Sequence, residues 1–277
     1  MPNINDHEYS IFSQNGEDGI IAFLTSGLKE NRKRFIEIGT SDGGENNSMY
    51  LLKLGWTGLG IDVDSESIRR YIARITHEPF AQRLTLARMK VGWNNCRWIV
   101  DEYGDKNPDF FSLDIDGIDY YVAYRMLQLG FRPSVVCCEY NASLGNGPLT
   151  VMYKNDFSRR HLDPQRGLYF GAAVSAWRHL FAQYGYKFCG VEKAGVNAFF
   201  CLPEAFTPDF LDDVTGPEHA YTKVFVDKFR VSGERLEREL LARQNLIFIN
   251  VTEKNIEDVV ANCDLPPADG PQVFTFG

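Results

Sequence analysis

The feature that most limits how this chain can fold is a short, nearly continuous apolar run followed by a segment of helical spacing. The unit recurs about five times between Arg34 and Glu139. Residues 34–38, 59–63, 84–91, 109–116 and 134–139 read as the strands, most of them running into a glycine or an acid. Residues 46–54, 68–75, 95–104 and 120–129 read as the helices between them. Strands apolar along their whole length must be covered on both faces, and intervening helices bring the chain back to the same edge, which makes neighbours parallel. The expected class is therefore α/β, a Rossmann-like, doubly wound and mostly parallel sheet with helices on both faces.

Flanking segments fit this plan. A helix carried by Ile20, Ile21, Phe23 and Leu24, with Ser13 as its N-cap, precedes the first strand. A helix at 172–183 and two strands at 186–192 and 197–201 would close the sheet with an antiparallel hairpin. Residues 141–167 are rich in Gly, Asn, Pro, Asp and Arg, the composition of a long functional loop or lid. The division expected is a main domain over 1–203 and an extension over 204–277. The extension carries a helix at 235–243, a strand at 246–251 and a Pro/Gly-rich tail, and would serve as a lid or as a contact between copies of the chain.

Composition narrows the partners. With 29 Lys and Arg against 37 Asp and Glu, the formal charge of -8 repels phosphate backbones and argues against nucleic acid. Cysteines 96, 137, 138, 189, 201 and 263 form no CxxC pair and read as buried, reduced thiols. The N-terminus lacks the pattern of a signal peptide, and no apolar stretch nears the ~18 residues of a membrane span. A cytoplasmic protein with no membrane partner is expected.

Four groups of residues carry chemistry. Glu37-Ile38-Gly39-Thr40-Ser41-Asp42-Gly43-Gly44 sits between the first strand and its helix, where ligands of open α/β sheets collect. Its spacing is not G-x-G-x-x-G, and its acids Glu37, Asp42 and Glu45 suit a ligand bearing ammonium and sulfonium charge better than a pyrophosphate. A plain tight turn explains the loop equally well. Asp62 ends the second strand, where a carboxylate accepts hydrogen bonds from ribose hydroxyls, with a surface acid as the alternative. Asn94 and Asn95 follow the third strand and could meet an adenine edge or cap a helix.

Asp114 and Asp116, with Glu139 and Asn141, share strand faces at neighbouring strand ends and could converge on a hard cation, Mg²⁺ or Mn²⁺. Helix capping by the Asp116–Asp119 turn is the alternative. His161, the one histidine of the irregular segment, is a candidate base or a solvated loop residue, and His179 reads as structural. Tyr153, Phe157, Tyr169 and Phe170 are pocket walls or ordinary core.

These motifs resemble class I S-adenosylmethionine-dependent methyltransferases. The carriers are Phe35-Ile36-Glu37-Ile38-Gly39, Gly58-Leu59-Gly60-Ile61-Asp62, Asp114-Ile115-Asp116-Gly117 and Glu139-Tyr140-Asn141. Ser13-Gln14-Asn15-Gly16-Glu17-Asp18-Gly19 and Gly195-Val196-Asn197-Ala198-Phe199-Phe200 are similar to segments of the FkbM-like subset. The resemblance spans residues 8–203 and implies a seven-stranded sheet with S-adenosyl-L-methionine bound by Gln14, Glu37, Gly39, Asp42, Asp62, Asn95 and Asp114. In metal-dependent O-methyltransferases of similar layout, acids ending strands four and five hold Mg²⁺. Asp114 and Glu139 match those places, and Asn141 would join them. Catechol-type enzymes carry a Lys three residues after the first metal acid, where this chain has Gly117, a departure that counts against catechol substrates and leaves the base open; the candidate catalytic groups are His161 and Asp116.

The implied activity is metal-assisted O-methylation of a hydroxyl on a sugar or natural-product-like small molecule. Two alternatives are a metal-dependent glycosyltransferase using Asp114-Ile115-Asp116 and a non-catalytic binding module of the same fold.

Overall fold

The computed structural model describes residues 3–263, 265 and 270–276; Met1, Pro2 and most of the Pro-rich stretch of the tail lie outside them. In chain order the elements are α1 (Glu17–Ser26), β1 (Arg34–Ile38), α2 (Met49–Lys53), β2 (Thr57–Asp62), α3 (Ser65–Ile75), β3 (Leu84–Arg88), β4 (Phe110–Leu113), α4 (Asp119–Gln128) and β5 (Val135–Glu139). There follow β6 (Leu149–Val151), α5 (Arg159–Leu162), α6 (Val174–Gln183), β7 (Lys187–Val191) and β8 (Asn197–Cys201). The remainder carries α7 (Lys223–Phe229), α8 (Gly233–Leu241), β9 (Phe248–Asn250), α9 (Ile256–Ala261) and β10 (Gln272–Thr275).

The main sheet runs β10-β3-β2-β1-β4-β5-β8-β7. Strands β1 to β5 pair in parallel, while β8 and β7 form the expected antiparallel hairpin edge. Side chains alternate strictly between the two faces. Ile36, Ile38, Phe111, Leu113, Val136 and Cys138 enter a core with α4 and α6. Phe35, Phe110, Val135 and Cys137 enter another with α1, α2 and α3. Each such side chain contributes about 1.5–3 kcal/mol by leaving water, so both layers are held to the sheet by its own period of two. Because the order turns back between β1 and β4, the crevice above their carboxyl ends is the natural ligand position.

Several expectations are corrected. The sheet has eight strands, not seven, because β10 returns from the tail to pair antiparallel with β3, from Gln272↔Arg88 to Thr275↔Thr85. The N-cap of α1 is Gly16 at φ +103°, not Ser13; Ser13 Oγ still accepts the Asp18 N–H at 2.9 Å. The helix expected at 95–104 is shorter, covering 96–102, and its Trp98–Glu102 part is π-helical. The Asn95 side chain holds the preceding residues as a turn by accepting from Gly92 N and donating to Lys90 O. The segment after β5 is not wholly irregular, since β6 pairs with β9 from the extension. All six cysteines are free thiols, five of them buried. Among the described residues no helix is long and apolar enough to cross a membrane.

Candidate active site

A cleft of about 390 Å³ lies across the carboxyl ends of β1, β2 and β4, with Gly39, Asp62, Asp114 and Asp116 in its lining. A second cavity of about 350 Å³ shares Met89, Lys90, Val91 and Ile118 with it and reaches Trp93, Asn95 and Tyr153. The loop after β1 forms one flank. Gly39 stands at φ +94°, and a Cβ there would lie 1.6 Å from the carbonyl oxygen of Asp114. Gly43, at φ +70°, would put a Cβ 2.4 Å from the Tyr71 ring. Both glycines are thus demanded by close approach to protein, and Gly39 also lines the cleft.

The amides of this loop are largely in use. Gly39 and Thr40 donate to Ile61 O, Gly43 to Thr40 O, Gly44 to the Asp42 carboxylate and Ser41 to the Asp62 carboxylate. A phosphate cradle needs such N–H groups free and aimed outward, so this glycine loop has little to offer one.

Asp62 lines the cleft with each oxygen anchored. Oδ2 accepts the Ser41 N–H at 2.8 Å and Oδ1 the Asp64 N–H at 2.8 Å. A carboxylate has about four acceptor positions, so roughly two stay open on a side chain whose orientation is fixed. Burial raises its pKa, against the lowering by those N–H groups.

Asp114 and Asp116 stand at the other end of the cleft; they and Glu139, which is outside the lining, bring one carboxylate oxygen each to within 4.8 Å of one another. Asp114 and Glu139 share a hydrogen bond. Burial, reinforced by the neighbouring acids, pushes Asp114 up to about 7 and Glu139 well above the usual carboxylate range. Asp116 occupies a left-handed backbone position, φ +56°, and its Oδ1 pairs with Arg159 Nη1 at 2.5 Å. Oxygen donors alone, clustered and anionic, are the set a hard divalent cation takes.

The remaining expected site residues go elsewhere. Glu37 is buried beneath the loop, where it accepts from Asn47 N and Ser48 Oγ; desolvation raises it to about 7. It acts on α2 and not on the cleft. Asp42 pairs with Arg74 at 3.5 Å, and Gln14 is exposed on the loop before α1; neither lines the cleft. Asn95 borders the second cavity, but its amide is used in the turn described above.

Asn141 is fully buried, donates to Leu168 O and Phe170 O and accepts from Ser143 N, so its amide pins the 141–170 segment and is not a metal ligand. His161 is exposed on α5 and lines neither cavity. Of the four aromatics, Tyr153 and Phe157 face the cavities, while Tyr169 and Phe170 are core.

Asp119 entered the sequence reading only as part of a capping turn, and contacts of Arg159 and Ser41 with the site acids were not anticipated. Asp119, buried at the start of α4, accepts from Ile115 N at 2.7 Å and Gly117 N at 2.8 Å and so shapes the turn presenting Asp114 and Asp116. The D-I-D-G-I-D spacing carried that signal, as an acid three residues beyond a turn. Arg159 and Ser41 had none, since their partners are distant in sequence.

No protein-family model matches the chain, and no curated protein matches it. Among solved structures, the methyltransferase domain of bacterial CtHen1-C is 20% identical at a TM-score of 0.41, over 66% of this chain and 94% of that one. An O-methyltransferase from Bacillus cereus in complex with SAH is 14% identical at a TM-score of 0.44, over 70% of this chain and 81% of that one.

Proposed function

We propose that this chain is an S-adenosylmethionine-dependent methyltransferase acting on a hydroxyl of a sugar or natural-product-like small molecule, with a divalent cation held at Asp114 and Glu139. One observation carries the reading: the glycine loop uses most of its amides internally, while the charge lining the cleft is mainly carboxylate. Such a cleft suits a nucleoside that has a ribose diol, no phosphate and a positive charge. The two open acceptor positions on Asp62 fit vicinal hydroxyls, and Asp114 and Asp116 complement the positive end.

When bound, S-adenosylmethionine supplies a methyl group on a cationic sulfur. The work left to the protein is alignment, and positioning of this sort lowers barriers by about 7–11 kcal/mol in favourable cases. Ile118 and Phe157 give the cleft apolar walls that limit water. Asp114 and Glu139 would hold Mg²⁺ or Mn²⁺, which polarises a hydroxyl oxygen. Asp116, with Oδ1 occupied by Arg159, keeps Oδ2 for the hydroxyl proton. A formal charge of -8 favours a small acceptor over a nucleic acid.

Calorimetry tests this. The wild-type chain should bind S-adenosylhomocysteine without divalent ions. Asp62→Ala should lose about 1.5–3 kcal/mol, the worth of hydrogen bonds to a charged group, or roughly 10- to 150-fold in Kd. Mn²⁺ should bind the wild type and not the Asp114→Asn/Glu139→Gln variant. Binding of UDP with Mn²⁺ in place of S-adenosylhomocysteine would replace this reading with sugar transfer through Asp114-Ile115-Asp116.

A further inference from the structure

We infer that Arg243, in the extension, is a positioning residue that acts through Asp163 to hold residues 152–166 over the cleft. This deepens the reading above and rests on it for the identity of the ligand. The 152–166 segment forms one wall of the site: Tyr153, Asn155 and Phe157 line the two cavities, and Arg159 pairs with Asp116. Yet it has little structure of its own. Its one helix, α5, is four residues long and buries none of them. Tyr153 and Phe157 pack its first half against the core, whereas 158–161 bury no side chain, so the second half depends on ties from elsewhere in the chain.

The extension ties both of its ends. At the start, the Tyr169 hydroxyl accepts the Met152 N–H at 2.9 Å and donates to Ile247 O at 2.5 Å, next to the β6–β9 ladder. At the far end, the Asp163 carboxylate is wholly buried and accepts the N–H of Leu168 at 2.7 Å and of Arg166 at 3.3 Å. Its charge partner is Arg243, just beyond α8. A second pair joins Arg166 Nη2 to Glu239 Oε2 of α8 at 2.5 Å. Leu236 and Leu240 of α8 pack with Leu168 and Tyr169 beneath the wall. Of the two ion pairs, the one with Arg243 dominates: Asp163 has no access to water as an alternative, whereas Glu239 is about a third exposed.

The consequence for ligand binding follows from populations. If only a fraction of molecules has the wall closed, the apparent dissociation constant rises by the inverse of that fraction. Releasing the tie should therefore weaken a ligand that touches Asn155 and Phe157 while leaving the Asp62 end intact.

The test uses the full chain and compares wild type with Asp163→Asn/Arg243→Met, which removes both charges together, and with Arg243→Lys. Hydrogen exchange should speed up in 152–166 and stay unchanged in 34–63. The Kd for S-adenosylhomocysteine should rise about tenfold, as expected if the closed fraction falls to about a tenth. Arg243→Lys should restore most of both. Unchanged exchange in 152–166, or an equal rise at 34–63, overturns the inference. Should the double variant not fold, Arg243→Gln alone must show the same local effect, and its absence overturns the inference equally. A wild type that fails to bind S-adenosylhomocysteine would remove the cofactor reading, and the exchange measurement would still decide the role of Arg243.

Discussion

At Gly39 the chain leaves β1 at φ +94°, and the atom nearest to a built Cβ is the backbone carbonyl oxygen of Asp114, 1.6 Å away. Gly55 stands at nearly the same φ, +92°, with nothing within 4 Å. The comparison separates backbone strain from steric conflict. Gly55→Ala should cost about 1–2 kcal/mol, the price of a left-handed backbone with a side chain. Gly39→Ala adds a clash that only a shift of β4's end can relieve, and should cost about 3 kcal/mol or more. Urea unfolding of the two variants checks this, and equal losses would show that the Asp114 carbonyl yields freely. Much of the site has the same character. Asp62, Asp114, Asp116 and Glu139 were legible because each ends or directly follows a strand whose neighbours could be inferred. Glu37 and Asn141 were not, because the partners that decide them come from packing beyond their own strands. The carbonyls of Leu168 and Phe170 claim Asn141 from nearly thirty residues away, and nothing in the local sequence says so.

Among the elements, β1 to β5 could be read directly because a strand covered on both faces must be apolar at every position. The shorter strands could not. In β6 and β9 three residues on each side pair across about a hundred residues of chain, and β10 finds β3 across nearly two hundred. Such pairings carry no local periodicity. Four residues, Gln272-Val273-Phe274-Thr275, look like any tail until β3 is beside them. Their position has a measurable consequence. Ending the chain before Gly270 would uncover the outer edge of β3 along Thr85 to Arg88, leaving a row of unpaired backbone groups on a strand with no further neighbour on that side. The truncated protein should melt about 5 °C lower, corresponding to ~2 kcal/mol at this chain length, and should self-associate. Scanning calorimetry and sedimentation test it, and a monomer with an unchanged Tm would show that β10 is dispensable.

Over the whole molecule, buried carboxyls set the response to pH. Desolvation raises Glu37, Asp114 and Glu192 to about 7 and Asp119 to about 6, from ordinary values of 3.8 for Asp and 4.5 for Glu, and raises Glu139 well above the ordinary value. Between the ordinary and the raised value the folded chain holds a proton that the unfolded chain has released. Stability must then fall as pH rises through that window. The sign is opposite to that of a salt-bridged carboxylate, whose stabilisation is lost as pH falls. The chain's excess of acids works in the same direction, since self-repulsion grows as they ionise. The ion-free protein should therefore show a Tm that drops between pH 5 and pH 8. Removing one of the groups by Asp114→Asn should flatten the slope, because the amide neither gains nor releases a proton. Mn²⁺ should flatten it too, by neutralising Asp114 and Glu139 in place of protons, and its affinity should rise with pH over the same range. A Tm that climbs from pH 5 to pH 8 without metal would mean that these carboxyls are ionised and satisfied in the folded chain, and that the cluster has no need of a cation.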